Sequence, residues 1–323
     1  MALTATLYDY QSTGVAWMIK REQSSDHPGG INADEVGLGK TLMTIATIIK
    51  NPKPKTLILA PKSLIPQWEK EMKRFSDIEP YVNELPDEEV ESFVVLASHS
   101  KIVKRKGDFN ETAYHQVPWN RVIIDEGHVI KNKTSKINRS ANALNTEIRW
   151  ALTATPVMNN MKEFINMMGW LGIDKTECKQ AKQSITERYI LRRTKEDVAN
   201  VDERLKLPDL QVEVKEIPFE TSEERAVYEQ QWQESKDVIK QMKQSEYLQN
   251  NVLEALEQLL RMRQISIHPQ IYYTGMAKKR KEKPDSWSHG SSKMTALVDM
   301  LDQEKTLIFC QFIEEMDLYA QAI

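Results

Sequence analysis

Short, almost uniformly apolar runs alternate with stretches of helical period along the first half of the chain. Lys55–Pro61 (KTLILAP), Phe93–His99 (FVVLASH), Arg121–Glu126 (RVIIDE) and Trp150–Thr155 (WALTAT) read as strands. Continuous apolar strands of this kind are covered by helices on both faces. The patterns between them predict helices at Lys40–Lys50, Ser63–Phe75 and Ser135–Leu144. Strands alternating with helices imply a parallel α/β sheet with crossover connections. Glu84–Glu91 (ELPDEEVE) holds five acids in eight residues and reads as an exposed loop.

From Met161 onward the pattern turns helical. In Thr221–Gln264, Tyr228, Trp232, Ile239, Met242, Leu256, Leu259 and Leu260 fall near helical spacing. That stripe predicts a helix-packing core rather than a cofactor site. Trp68, Trp119, Trp170 and Trp232 lie in or beside apolar runs and are also expected in the core. Met276–Gly290 (MAKKRKEKPDSWSHG) reads as a basic connector with Trp287 its one core candidate. A helix at Ser292–Leu301, a strand at Lys305–Cys310 and a helix at Ile313–Ile323 then open a new α/β unit. One strand with two helices cannot bury its own faces, so this unit looks unfinished. The predicted organisation is an α/β lobe over 1–200, a helical extension over 201–273, a basic linker over 274–290 and an incomplete second lobe over 291–323.

Composition adds exclusions. The 323 residues carry 44 Lys plus Arg against 47 Asp plus Glu, a net charge of -3, with 40% hydrophobic residues. Such a chain is neither a disordered tail nor generally basic, although local basic patches are compatible with it. KIVKRK (101–106) and KKRKEK (278–283) are such patches, each with a solvated surface as the plain alternative. Two cysteines, Cys178 and Cys310, exclude a disulfide framework and a four-cysteine zinc site. No apolar run reaches the length of a membrane span, and Met1–Arg21 lacks the pattern of a signal peptide, so an intracellular protein is expected.

The strongest chemical signal is Asp34–Thr41, DEVGLGKT. A phosphate loop uses small residues to turn backbone N–H groups inward, a Lys to reach the β and γ phosphates, and a hydroxyl to hold Mg²⁺. Gly37, Gly39, Lys40 and Thr41 supply those parts, and a helix opening at Lys40 adds its dipole. Asp34 stands where the general pattern has glycine, so the loop taken alone is a partial match. Downstream, Val122–Glu126 is an apolar strand ending in two acids. Asp125 suits Mg²⁺ coordination, and Glu126 suits a general base that orients water. Together the two segments predict ATP and Mg²⁺ as ligands.

These segments resemble the Swi/Snf class of superfamily-two, DNA-translocating ATPases, in which an acid commonly replaces the first loop glycine. The resemblance extends in order through LYDYQSTGVAWM (7–18), GGINA (29–33), LAPKSLIPQW (59–68), ASHS (97–100), DEGH (125–128), VIKN (129–132) and WALTATPVMN (150–159). It continues through ILRRT (190–194), LLRMRQISIHP (259–269), SSK (291–293) and KTLIFCQF (305–312). DEGH and LLRMRQISIHP look most like the branch containing helicase-like transcription factor and its post-replication-repair relatives. Those proteins carry a zinc-binding RING between the lobes, which two cysteines cannot build, so neither zinc nor ubiquitin-ligase activity carries over.

The resemblance implies a RecA-like fold and a double-stranded-DNA-dependent ATPase that displaces or remodels protein–DNA complexes. It implies that Gln11 reads adenine, that Asp34 belongs to the nucleotide loop, and that Lys62, Ser63, Gln67, Ser98, His99 and Thr153 face one DNA strand. Such contacts grip phosphates without reading bases, so binding would be sequence-independent. His128 would couple the γ-phosphate site to Thr153 and Thr155. Nucleosomes are among the implied substrates, and the nucleus is the implied location in a eukaryote. The arginine-bearing motif of the family's second lobe has no counterpart before Ile323, which predicts a fragment with little activity alone. The alternative is a DNA-binding or regulatory module without turnover; a strand-separating RNA helicase is disfavoured by GLGKT, LRR and SSK.

Overall fold

The computed structural model describes residues 2–104, 112–155, 160–199, 206, 208, 210–244, 252–302 and 304–323. The chain divides into two compact units, Met1–Pro208 and Asp209–Ile323. The expected boundary at 200/201 falls outside the described residues.

The first unit is built on a seven-stranded sheet. Its strands are β1 (Gly29–Asn32), β2 (Lys55–Ala60), β3 (Tyr81–Val82), β4 (Phe93–Ser98), β5 (Trp119–Asp125), β6 (Thr146–Leu152) and β7 (Ile190–Leu191). They lie in the order β3-β4-β2-β5-β6-β1-β7, and every pairing is parallel. The helices are α1 (Asp9–Glu22), α2 (Lys40–Lys50), α3 (Ile65–Phe75), α4 (Ala113–Gln116), α5 (Lys136–Asn142), α6 (Met161–Trp170), α7 (Lys175–Gln180), α8 (Lys182–Tyr189) and α9 (Lys195–Ala199).

Strand alternation sends neighbouring residues to opposite faces, and two cores follow. Leu57, Leu59, Val122 and Ile124 pack with Ala141, Phe164 and Met168 of α5 and α6. Ile58, Ile123, Trp150 and Leu152 pack with Val15, Met43 and Trp68 of α1, α2 and α3. This is a RecA-like α/β layer structure. The four expected strands are present, with β6 shifted so that it ends at Leu152 and leaves Thr153–Thr155 beyond the sheet. The glycines of β1 are forced by its neighbours: a Cβ on Gly29, at φ +113, would lie 2.0 Å from the Arg149 carbonyl oxygen.

The second unit contains α10 (Ser222–Gln244), α11 (Val252–Ile267), α12 (Pro269–Arg280), α13 (Ser292–Met300) and α14 (Ile313–Ala322). Its helices correct several expectations. The stripe on α10 and α11 is not a core: Trp232 is 46% exposed, and Leu256, Leu259 and Leu260 also face solvent. Glu224, Gln231 and Ser235 are buried instead. A polar network accounts for the reversal, with Tyr272 Oη donating to Gln231 Oε1 at 2.6 Å and Ser235 Oγ to Gln258 Oε1 at 3.2 Å. Met242 lies outside the described side chains.

Lys305–Cys310 forms no strand; Leu307 and Phe309 are exposed, and no described strand lies beside it in the sheet pairings. The predicted connector also begins inside a helix, since α12 continues to Arg280 and buries Ala277. Trp68, Trp119 and Trp170 are buried as expected. No described helix is long and apolar enough to cross a membrane.

Candidate functional site

β1 ends at Asn32, and the loop that follows turns into α2 through two left-handed glycines, Gly37 (φ 92) and Gly39 (φ 83). A side chain at Gly39 would be strained by its φ and would place its Cβ 2.5 Å from Gln11 Nε2. The N-terminus of α2, with its unpaired N–H groups and dipole, is thereby left open to an anion. Lys40 Nζ donates to the backbone carbonyls of Asp34 at 2.6 Å and Glu35 at 3.2 Å. Burial lowers the Lys40 pKa, opposed by Asp34, Asp125 and Glu126. Thr41 sits half-buried in the first turn.

The acidic pair closes β5. Asp125 Oδ2 accepts from the Trp68 indole N–H at 2.7 Å, and Oδ1 accepts from the Glu126 N–H at 2.9 Å. Burial raises the Asp125 pKa, while these hydrogen bonds and Lys40 work against it. Glu126 adopts φ 50 and ψ 53, a left-handed conformation costing a non-glycine residue about 1–3 kcal/mol. The groups fit a magnesium nucleotide: a helix N-terminus and an ammonium for phosphates, and a hydroxyl and a carboxylate as the hard oxygen ligands that Mg²⁺ takes.

Other expected members of the site are placed differently. Gln11 is 5% exposed; its Oε1 accepts from Tyr8 N and its Nε2 donates to Leu38 O. It lies against Gly39. Asp34 is fully buried, and its carboxylate pairs with Arg193, whose backbone N–H also donates to Oδ1 at 2.9 Å. It braces the loop from behind. His128 is half exposed and meets Glu126 Oε2 at 3.1 Å. It makes no described hydrogen bond to Thr153 or Thr155, whose hydroxyls lie 3.4 Å apart. Lys131 Nζ instead donates to Thr155 O at 2.7 Å. Residues 156–159 of that motif lie outside the described chain.

The six expected DNA contacts divide in two. Lys62, Ser63 and Gln67 are exposed after β2. Ser98, His99 and Thr153 are buried, because they stand at the ends of central strands in a sheet covered on both sides. Ser98 Oγ lies 2.9 Å from the hydroxyl of exposed Ser100. His99 Nε2 lies 2.9 Å from the Asp125 main-chain oxygen, and burial lowers the ring's pKa.

A phosphate loop after β1 and an acidic pair after β5, with β6 between those strands, form the geometry that relatives should share. A model of the SNF2-related domain matches residues 10–182, more than half of the chain. The chain belongs to the SNF2-related family. It is 25% identical to DNA repair protein RAD5 of Yarrowia lipolytica, over 94% of its own length and 34% of the relative. It is 28% identical to a probable global transactivator of Orgyia pseudotsugata multicapsid polyhedrosis virus, over 81% of its length and 56% of the relative. Among solved structures it is similar to the Sulfolobus solfataricus SWI2/SNF2 ATPase core in complex with dsDNA, with a TM-score of 0.54, 25% identity and coverage of 92% and 64%. The SNF2-related chain thus spans about a third to just over half the length of these curated relatives.

Three features of this SNF2-related fold escaped the sequence. Trp68 was assigned to the core, yet a buried indole N–H needs an acceptor, which is the available clue. Arg193 lies in ILRRT, but nothing in its spacing points to Asp34, 159 residues away. Arg121, fully buried, donates from Nε to Glu22 Oε1 at 2.7 Å, and Trp150 Nε1 donates to the same oxygen at 2.9 Å.

Proposed function

We propose that this chain is the nucleotide-binding part of an ATP-dependent motor that moves along double-stranded DNA and remodels or displaces protein–DNA complexes. One observation supports the reading above all others: the phosphate loop, the acidic pair and the segment carrying exposed Lys62, Ser63 and Gln67 all follow C-terminal ends of strands in one parallel sheet. They therefore share one edge, where open α/β sheets bind their ligands.

In this reading Lys40 and the α2 N-terminus hold the triphosphate, Thr41 and Asp125 hold Mg²⁺, and Glu126 orients the attacking water. Gln11 lines the base side by closing against Gly39. Bound Mg²⁺ neutralises charge on the transferring phosphoryl group. Lys62, Ser63 and Gln67 offer an ammonium, a hydroxyl and an amide to backbone phosphates, a chemistry without base discrimination. Ser98 and Thr153 act from beneath that surface. The second unit is the helical extension with the start of a second ATPase lobe. In this reading the motor serves DNA repair, transcription or chromatin, with nucleosomes among the complexes acted on and the nucleus as the site in a eukaryote; the similarity to a DNA repair protein and a probable global transactivator supports the first two.

The test is ATP turnover by the whole protein that carries this chain, with and without duplex DNA. Duplex should raise turnover, and Lys40→Ala should abolish it. Equal turnover with and without duplex overturns the proposal.

A further inference from the structure

Asp125 is held from two directions, and both holds originate in segments that the proposed motor turns toward DNA. Trp68 lies on α3, directly after the stretch carrying exposed Lys62, Ser63 and Gln67, and its indole N–H reaches the Asp125 carboxylate at 2.7 Å. His99 directly follows Ser98 at the end of β4, and its Nε2 meets the Asp125 carbonyl oxygen at 2.9 Å. The strand β2 lies between β4 and β5 in the sheet. The imidazole therefore spans the end of one strand to reach the next but one. Trp68 is 2% exposed and His99 8% exposed, so neither ring is available to touch a duplex.

The position of these bonds matters for chemistry. The Asp125 carbonyl belongs to the same peptide unit as the Glu126 N–H, which in turn donates to Asp125 Oδ1. A shift of that peptide plane changes φ of Glu126, already held at 50°. The indole fixes one carboxylate oxygen and so decides how the group is presented to a metal, in the manner of outer-sphere partners whose loss typically costs 10–100-fold in metal affinity.

We infer that Trp68 and His99 are positioning residues that transmit the placement of the two DNA-facing segments to the Mg²⁺-holding carboxylate and to the backbone of Glu126. The inference rests on the motor reading above and specifies how its two ligands communicate. Trp68 carries the signal from Lys62–Gln67 to the side chain of Asp125. His99 carries it from Ser98–Ser100 to the main chain.

Coupling, not turnover, is the quantity to measure. The affinity of the protein carrying this chain for a non-hydrolysable magnesium–ATP analogue is titrated with and without a short duplex, and Mg²⁺ is titrated separately into the nucleotide-bound protein. Duplex should change the wild-type affinity by roughly fivefold or more. Trp68→Phe and His99→Phe should each bring that ratio below about twofold, because each keeps a ring and loses the donor. His99→Gln, whose amide can still donate to the Asp125 carbonyl, should retain most of the ratio. If Trp68→Phe does not fold, the contrast between Phe and Gln at position 99 decides the outcome, with melting curves confirming that both fold. A wild-type ratio in both Phe variants overturns the inference, as does equal loss in His99→Phe and His99→Gln. A wild-type ratio of one with both ligands bound overturns the inference alone. Failure of the wild type to bind the analogue overturns the motor reading beneath it.

Discussion

Glu126 combines a strained backbone with an accessible carboxylate, and that pairing sets what its replacement should do. Glu126→Gln preserves size and the left-handed turn while removing the proposed base. Nucleotide binding should survive and DNA-stimulated turnover should fall by about 10²–10⁴-fold, measured as kcat in the whole protein. The buried histidines give a pH prediction. Burial lowers the pKa of His99 and of His268 below the ordinary value. The unfolded chain then binds more protons than the folded one once pH falls below about 6.5, so stability is lost in that direction. His99→Gln should flatten the acid side of the melting-temperature profile between pH 7 and 5, and an unchanged slope would refute this origin. Such residue-level chemistry was partly legible beforehand: Lys40, Thr41, Asp125 and Glu126 announce themselves by residue type at a strand–loop–helix junction. Trp68 and Arg193 did not, because their partners lie 57 and 159 residues away.

At the scale of elements, legibility followed length and periodicity. The four long apolar strands were readable, whereas β1 is four residues with two glycines and β3 and β7 are two residues each. No period can register in so few positions. On α10 the period was real but its direction was inverted, since apolar spacing alone cannot reveal that Gln231 and Ser235 find Gln258 and Tyr272. One element contact invites a direct measurement. Arg121 of β5 and Glu22 of α1 form a fully buried ion pair that Trp150, Asn51 and Thr56 complete. Arg121→Leu leaves the Glu22 carboxylate buried without its cation and should cost about 3–5 kcal/mol in chemical denaturation. Adding Glu22→Leu should recover much of that loss, because the double variant removes the stranded charge. A double variant no more stable than the single one would contradict this.

For the molecule as a whole, the first unit owns its sheet and both apolar cores. Residues 1–208 expressed alone should therefore melt in one cooperative step and bind nucleotide, with calorimetry and a fluorescent analogue as the checks. A broad, non-cooperative transition would show that the unit borrows stability from elsewhere. The sheet order also has a consequence for how the chain is made. β1, which launches the phosphate loop, pairs with β6 at Arg149–Leu152 and with β7 at Ile190–Leu191, and Arg193 then fastens Asp34. Within the unit the motif is synthesised early, yet its two flanking strands are among the last. At about 5–20 residues per second, roughly 8–30 s of synthesis separate the appearance of Gly39 from the arrival of Arg193. During that interval the nascent polypeptide carries a nucleotide signature with no nucleotide site, and its central strands stand without their neighbours.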